Sequence, residues 1–593
     1  MFQLSRHWTR QRSLGLRRLH QALLLAILVL CTQSPANSQD NARPVGDSRD
    51  DSSPWGVGSG AEWFSAYRIF NPMLKQAGVR WLRGFYEWQT IQPKQGYWNF
   101  VLPDALAANA RANGVHLVGV LAYLAPWASA DGGTRQFPIK NVQYWRDYVA
   151  GMVGRYHAEI KYWEVWNEFN GSFAPGGNPA MYAELVREAS LAAKKIDPTA
   201  KIGMSVANFD VNFLDAAIKA GASGHFDYIC VHPYEMLTQL PEGGEPAFLN
   251  MTTTLRKMLE ANDQPQDIPL WITEIGAQAP VRRDDASDGA QAVALAKAYL
   301  LSIAAGFSRI FWFEVRGPSY GNGMDFGLIR ADMTPRPSFN ALKLLTSTLG
   351  PEPTSAGWLS LGEGGYGFVF DTQKGAVLAG WSPVKREINL TFEKDVRVLD
   401  LTGRTSLLPV GKTLTLTEEP VLITDLPPAL IDEARAQRSK PYPWAVSQSR
   451  AVMALLKADN VDNGVKQIRT DTTIADAGWR RTDFSRSDKE GHYVYFSVGP
   501  QFVPFGTTTL EITAVVRRVA PDKAAGMSLD YESNRGYVSS DYRDIAGDDG
   551  WQELSWKVQD ANFVGAWGWN FRLNAISSPN EFLIKEVRVK RDQ

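Results

Sequence analysis

The sequence predicts an α/β chain: a (β/α)8 TIM barrel, then a small β-sandwich domain, then a C-terminal β-sandwich of jelly-roll type. Three observations carry this. Between residues 55 and 315, short apolar runs alternate with longer amphipathic ones eight times, the rhythm and size of such a barrel. The helical pattern stops after Pro337. Short strand-like runs separated by Gly, Pro and Asp fill the remainder, as antiparallel β units require. Periodicity alone also admits an open doubly wound sheet for the first part.

The N-terminus reads as a targeting segment. Arg6, Arg10, Arg12, Arg17 and Arg18 precede the apolar run ALLLAILVL (22–30), and small residues at Ala36 and Ser38 offer a cleavage site. This is the pattern of a secretory signal peptide over residues 1–38. A nine-residue apolar run is short for a bilayer span. The alternatives are an uncleaved anchor or a lipoprotein, the latter disfavoured by the bulky Leu30 before Cys31. Export to the periplasm or the medium is therefore expected, with no stable membrane insertion of the mature chain. Residues 39–53, QDNARPVGDSRDDSS, read as a flexible leader. Beyond residue 38, Cys230 is the one cysteine, so no internal disulfide is expected. Its setting, YICVHPY, suits a small buried hydrophobe.

The barrel is assigned to residues 54–345. Its strand-like runs are WGVG (55–58), VRWLRG (79–84), HLVGVLAY (116–123), KYWEVWNE (161–168), KIGMSVA (201–207), FDYICVHPY (226–234), PLWITEIG (269–276) and RIFWFEV (309–315). Helix-like stretches such as PDALAANARANG (103–114), NPAMYAELVREASLAAKKID (178–197) and GAQAVALAKAYLLSIAAG (289–306) lie between them. The small β domain covers 346–428, a linker with some helix 429–457, and the C-terminal sandwich 458–593. The formal net charge is −1. With no long basic block after the N-terminus, a nucleic-acid partner is not expected.

Active sites of such barrels lie at the C-terminal ends of the strands. Glu168 ends the fourth strand and Glu274 the seventh, both among aromatic and apolar neighbours, where a carboxylate is costly. Two carboxyls facing one another across a pocket are what glycosidic cleavage requires. The bland alternative for either residue alone is a solvated or salt-bridged strand end. Glu235 follows the sixth strand and Glu314 ends the eighth, so both are candidates for lining the pocket. No HExxH and no Gly-rich phosphate loop occur, so neither metal nor cofactor is expected.

The ordered set WLRG, WNFVLPDALAANARANGVHLVGVLAY, WNEFN, VHPY, ITEIG and FWFE resembles retaining glycosidases of clan A. It is most similar to glycoside hydrolase family 39, including its exopolysaccharide-hydrolase-like and β-xylosidase-like members. The resemblance covers about residues 54–430. It implies Glu168 as general acid/base, with Asn167 bonding the sugar, and Glu274 as nucleophile. It also implies Arg83 beside Glu274, holding it as the anion. His232 and Tyr234 would line the pocket, and Trp312 would floor it. Phe169 stands where proline is usual in this group, which weakens any transfer of substrate specificity. The retaining mechanism places the two carboxyls about 5–5.5 Å apart, whereas inversion needs about 6.5–9.5 Å. The substrate class implied is a polysaccharide, first a bacterial exopolysaccharide and second a plant xylan-type glycan. A transglycosylase and a catalytically silent glycan-binding scaffold are the alternative readings, and a monomer is expected. The C-terminal unit carries Trp479, Trp551, Trp556, Trp567 and Trp569. It either binds glycan and tethers the enzyme or docks on the barrel as a structural part.

Overall fold

Eight strands close into a parallel barrel in sequence order: β1 (Trp55–Gly58), β2 (Trp81–Glu87), β3 (His116–Ala122), β4 (Tyr162–Val165), β5 (Lys201–Ala207), β6 (Tyr228–His232), β7 (Leu270–Ile275) and β8 (Arg309–Phe313). The computed structural model describes residues 49–591, apart from 61–63, 135–138, 318–321, 363–364, 383–387 and 443–450. The expected signal peptide and residues 39–48 of the leader lie outside the described residues. Among the described residues, no helix is long and apolar enough to cross a membrane.

These strands form because nearly every residue in them is buried. A parallel sheet is covered on both faces, so its strands read as continuous apolar runs. The helices around it are α1 (Tyr67–Gln76), α2 (Val101–Asn113), α3 (Val142–Tyr156), α4 (Pro179–Ile196), α5 (Val211–Ala217), α6 (Tyr234–Thr238), α7 (Glu245–Ala261), α8 (Asp285–Ala305) and α9 (Pro337–Leu349). Several start at side-chain caps. Asn141 accepts from Gln143 N, Asn178 from Met181 N, Asp210 from Phe213 N and Asp284 from Ala286 N, each satisfying a backbone donor the helix leaves open.

The lower part of the barrel interior is filled by Trp81, Val118, Tyr162, Tyr228, Cys230, Trp271 and Phe311. Cys230 is fully buried, and burial pushes its thiol well above the ordinary range, which leaves it unreactive. At the bottom, the Arg309 guanidinium lies 4.2 Å from the Trp81 ring, 4.4 Å from Trp271 and 4.6 Å from Tyr162. Asp50 Oδ1 accepts from it at 2.7 Å. The end of the expected leader is thus not flexible. Arg49 pairs with Asp197, Asp50 with Lys161 and Arg309, and Asp51 with Arg80. The polar string Arg49–Asp50–Asp51 fits because its two acids meet Lys161, Arg309 and Arg80 at the strand N-termini.

Beyond the barrel, residues 354–424 form a six-stranded sheet and a two-stranded ribbon. Buried Glu245 joins this unit to the barrel, since its Oε1 accepts from Lys297 and from Trp381 Nε1. A helix, α10 (Pro428–Gln437), follows. The C-terminal sheet then begins at Ala451–Leu455, inside the stretch read as linker. Its alternating burial and its pairing with Phe582–Arg591 make it a sandwich strand. The remaining strands pack antiparallel over a separate core that includes Phe496, Ile512, Leu529, Phe571 and Val587.

Candidate active site

Arg83, on β2, is completely buried in the barrel interior. A guanidinium survives there only if its donors are paired. Its Nε and Nη2 donate to Glu164 Oε2 at 3.0 and 2.9 Å. Nη2 also donates to Asn167 Oδ1 at 3.0 Å, and Nη1 to Glu274 Oε1 at 2.5 Å. Burial pulls the Arg83 pKa down, but Glu164 and Glu274 more than reverse that and raise it. Glu164, on β4, is a site residue that the motifs did not single out. Its signal was a charged residue inside YWEVWNE that neither ends the strand nor belongs to WNE.

Glu274, on β7, is 5% exposed. One oxygen accepts from Arg83 and the other from the Tyr234 hydroxyl at 3.0 Å. Burial first, and then the Glu274 charge, push the Tyr234 phenol well above its ordinary range, so it stays a donor.

Glu168 follows β4 on a sharply turned segment. Trp166 and Glu168 both adopt positive φ, 63° and 51°, a region that costs a non-glycine residue about 1–3 kcal/mol. Surrounding bonds hold the turn. Trp166 N donates to Leu121 O at 2.9 Å and Gly171 N to Glu168 O at 2.8 Å. The Asn170 amide bonds Ala207 O, Ala207 N and Asp210 Oδ2. Phe169 is buried and stacks on Tyr182 at 5.0 Å, so its ring anchors the loop from behind.

The side chain of Glu168 is 17% exposed, more open than that of Glu274 at 6%. Burial pushes its pKa up to about 7, against the lowering pull of Arg83. His232 bridges the pair. Its Nδ1 is 2.9 Å from Glu168 Oε1 and 3.9 Å from Glu274 Oε2, and its Nε2 is 3.1 Å from Thr273 Oγ1. Burial pushes His232 down to about 4, so the imidazole is neutral at pH 7. A neutral ring has one N–H and one acceptor. When Glu168 is protonated, its O–H can donate to Nδ1 while Nε2–H donates to Thr273. When Glu168 is ionised, Nδ1–H can donate and Nε2 accepts from the Thr273 hydroxyl. The ring therefore serves either state of the acid.

Ligand atoms of Glu168, His232 and Glu274 lie within 4.8 Å of one another. Three such donors are also a geometry that can hold a cation. Here the Arg83 guanidinium already sits on Glu274 Oε1.

Six of the expected site residues thus come together in two adjoining hydrogen-bonded groups: Arg83, Asn167, Glu274 and Tyr234 in one, Glu168 and His232 in the other, with His232 Nδ1 3.9 Å from Glu274 Oε2. Trp312 and Glu314 are corrections. Trp312 is fully buried, and its indole N–H donates to Phe326 O. It packs in the layer between barrel and helices, whereas Phe311 packs inside the barrel. Successive strand side chains alternate faces, so Phe313, and not Trp312, shares the inward side. Phe313 is half-buried and meets the Tyr234 ring edge-on at 6.5 Å. Glu314 is fully buried, with its carboxylate against Gly317, not open to the pocket. Glu235 braces a loop, since its Oε1 accepts from Phe209 N at 2.7 Å.

No protein-family profile matches the chain. An endo-1,4-beta-xylanase/feruloyl esterase of Xylanibacter ruminicola is 27% identical over 172 residues, 26% of this chain. That match spans 23% of the relative's length. A family 39 glycoside hydrolase from the gut symbiont Bacteroides cellulosilyticus superposes with a TM-score of 0.54 at 20% identity, over 64% of this chain and 82% of that one. A family 39 enzyme from Xanthomonas axonopodis pv. citri gives 0.44 at 14% identity, over 62% and 93%. The chain shares the barrel fold of the family 39 glycoside hydrolase from Bacteroides cellulosilyticus.

Proposed function

We infer that the protein is a retaining glycoside hydrolase acting on a polysaccharide. The observation that carries this is the carboxyl pair. One oxygen of Glu168 and one of Glu274 lie within 4.8 Å, and both approach His232 Nδ1, at 2.9 and 3.9 Å, which supports the close carboxyl spacing of about 5–5.5 Å used in retention. The two environments also differ in the required sense. Glu274 accepts from a cation and a phenol, while Glu168 is desolvated with a pKa near 7.

In this mechanism Glu274 attacks the anomeric carbon as the carboxylate, and the bond to the departing oxygen breaks. Glu168 gives that oxygen its proton. A covalent glycosyl ester on Glu274 results. Glu168, now ionised, takes a proton from water as the water attacks the same carbon, and Glu274 leaves. Arg83 fixes Glu274 in place. It also occupies Asn167 Oδ1, which leaves the Asn167 NH2 to donate to a sugar hydroxyl. Buried Thr273 and His232 orient the acid.

For the substrate, the export-type leader and the family resemblance favour a bacterial exopolysaccharide. The similarity to the Xylanibacter ruminicola enzyme favours a xylan-type glycan as the second reading. Reducing-end release from a panel holding both classes tests the proposal, with Glu274→Gln as control. Release that the variant lacks supports hydrolysis at this site. Release that persists in Glu274→Gln would remove Glu274 from the mechanism.

A further inference from the structure

The C-terminal sandwich meets the barrel at the site's own loops. Asn562 Nδ2 donates to Asn212 Oδ1 at 2.6 Å, and Asn212 Nδ2 donates to Ser533 O at 3.2 Å. Asn212 lies on α5, which Asp210 caps, and Asp210 also accepts from Asn170 of the acid/base loop. Gln239 Nε2 donates to Gly568 O at 2.8 Å. Gly568 sits against Glu235, the residue after Tyr234, so closely that an added Cβ would meet Glu235 Cβ at 2.9 Å.

Trp567 stands on this contact. Gly565, Ala566, Trp567 and Gly568 form a tight turn closed by Gly568 N donating to Gly565 O at 2.9 Å. Both glycines have positive φ, 76° and 81°, a backbone that favours glycine. Buried Glu532 pins the turn from inside: its carboxylate accepts from Val564 N, Gly565 N, Ala566 N and Asn570 Nδ2. Trp567 N donates to Tyr537 Oη at 3.2 Å.

The five tryptophans of this unit differ in availability. Trp556 and Trp569 are 3% and 7% exposed. Trp479 and Trp551 pair edge to face at 5.6 Å, with the Lys585 ammonium over both rings. Trp567 is 44% exposed, and among the described residues no ring or cation stacks on it. A large apolar ring held out on a rigid turn, beside the helix turn that carries Tyr234, is organised for contact with something that enters the cleft.

We propose that Trp567 of the C-terminal sandwich is a wall of the substrate cleft, stacking on a pyranose ring of the polysaccharide beyond the cleavage point. The sandwich then completes the cleft and is not a separate tether. This rests on the glycosidase reading for the identity of the ligand.

The test uses the full chain, wild type, Trp567→Ala and Trp567→Phe, on the polymer that gives most release and on the aryl glycoside of the same sugar. The polymer-to-aryl-glycoside ratio of kcat/KM is expected to fall about tenfold in Trp567→Ala, equivalent to about 1.4 kcal/mol, through KM on the polymer. Trp567→Phe should restore most of it. An unchanged ratio in Trp567→Ala would overturn the proposal. If wild type releases nothing from any polymer, the hydrolase reading falls, and mobility in native gels containing each polymer decides the stacking. Retardation of wild type but not of Trp567→Ala supports it, and equal mobility of the two in every gel overturns it.

Discussion

A carboxyl that must first give a proton and then take one works best with a pKa near the working pH. In the mechanism proposed here Glu168 meets this through burial, which disfavours its charged form and lifts it to about 7. The sign follows directly. Below that value the acid is protonated and competent; above it the protonated fraction, and with it kcat/KM, falls tenfold per pH unit. A pH–rate profile should show this descending limb, and Glu168→Gln should abolish it while lowering the rate about 10²–10⁴-fold. Tyr234→Phe removes one of the two donors to Glu274. Losing a hydrogen bond to a charged group costs about 1.5–3 kcal/mol, so kcat should drop roughly 10- to 100-fold with the fold intact by circular dichroism. The sequence made this group legible unevenly. Glu168 and Glu274 close apolar strand runs, and that is visible without coordinates. Trp312 was misassigned because inward and outward positions alternate, and where β8 enters that alternation is set by Phe311 packing under the barrel. Glu164 escaped notice because its partner, Arg83, is remote in sequence.

At the scale of elements, eight apolar runs with helical spacers gave the barrel, since a strand covered on both faces shows it in its composition. The end of the leader was read as loose because polarity alone says nothing of partners. Asp50 and Asp51 find theirs at the N-terminal ends of four different strands, in Arg80, His116, Lys161 and Arg309. Asp50→Ala takes a carboxylate from Arg309, whose guanidinium keeps the Asp51 carbonyl. It should cost about 2 kcal/mol, read as a lower denaturant midpoint with an unchanged slope. Gly568→Ala combines a left-handed backbone with contact on Glu235 and Gln239. It should lower the midpoint by an amount corresponding to about 1–2 kcal/mol, with any loss of activity appearing on polymer before aryl glycoside.

For the molecule as a whole, the barrel, the small β domain and the sandwich share buried polar contacts through Glu245, Asn212 and Asn562. Opening one unit alone would leave a buried polar partner unsatisfied in its neighbour, which couples their unfolding. Calorimetry of the described chain should therefore give one transition, and two resolved peaks would mean that the sandwich is only loosely joined. A barrel ending before Ala451 would expose the Asn212 amide and the side chain of Met236, which packs against Gly565, and should be less stable and more prone to aggregate than the full chain.

Asn212 and the Gly565–Gly568 turn bear on how such a chain can be inherited. A domain attached only through its linker can be exchanged by recombination, because a crossover in the linker disturbs neither partner. Here a crossover near residue 450 would bring in a foreign sandwich with no match for Asn212, Glu235 and Gln239, one bond away from the loop that carries the acid. The cost of the exchange would fall on catalysis itself. The cassette that can move between genes without repair is the barrel together with its sandwich.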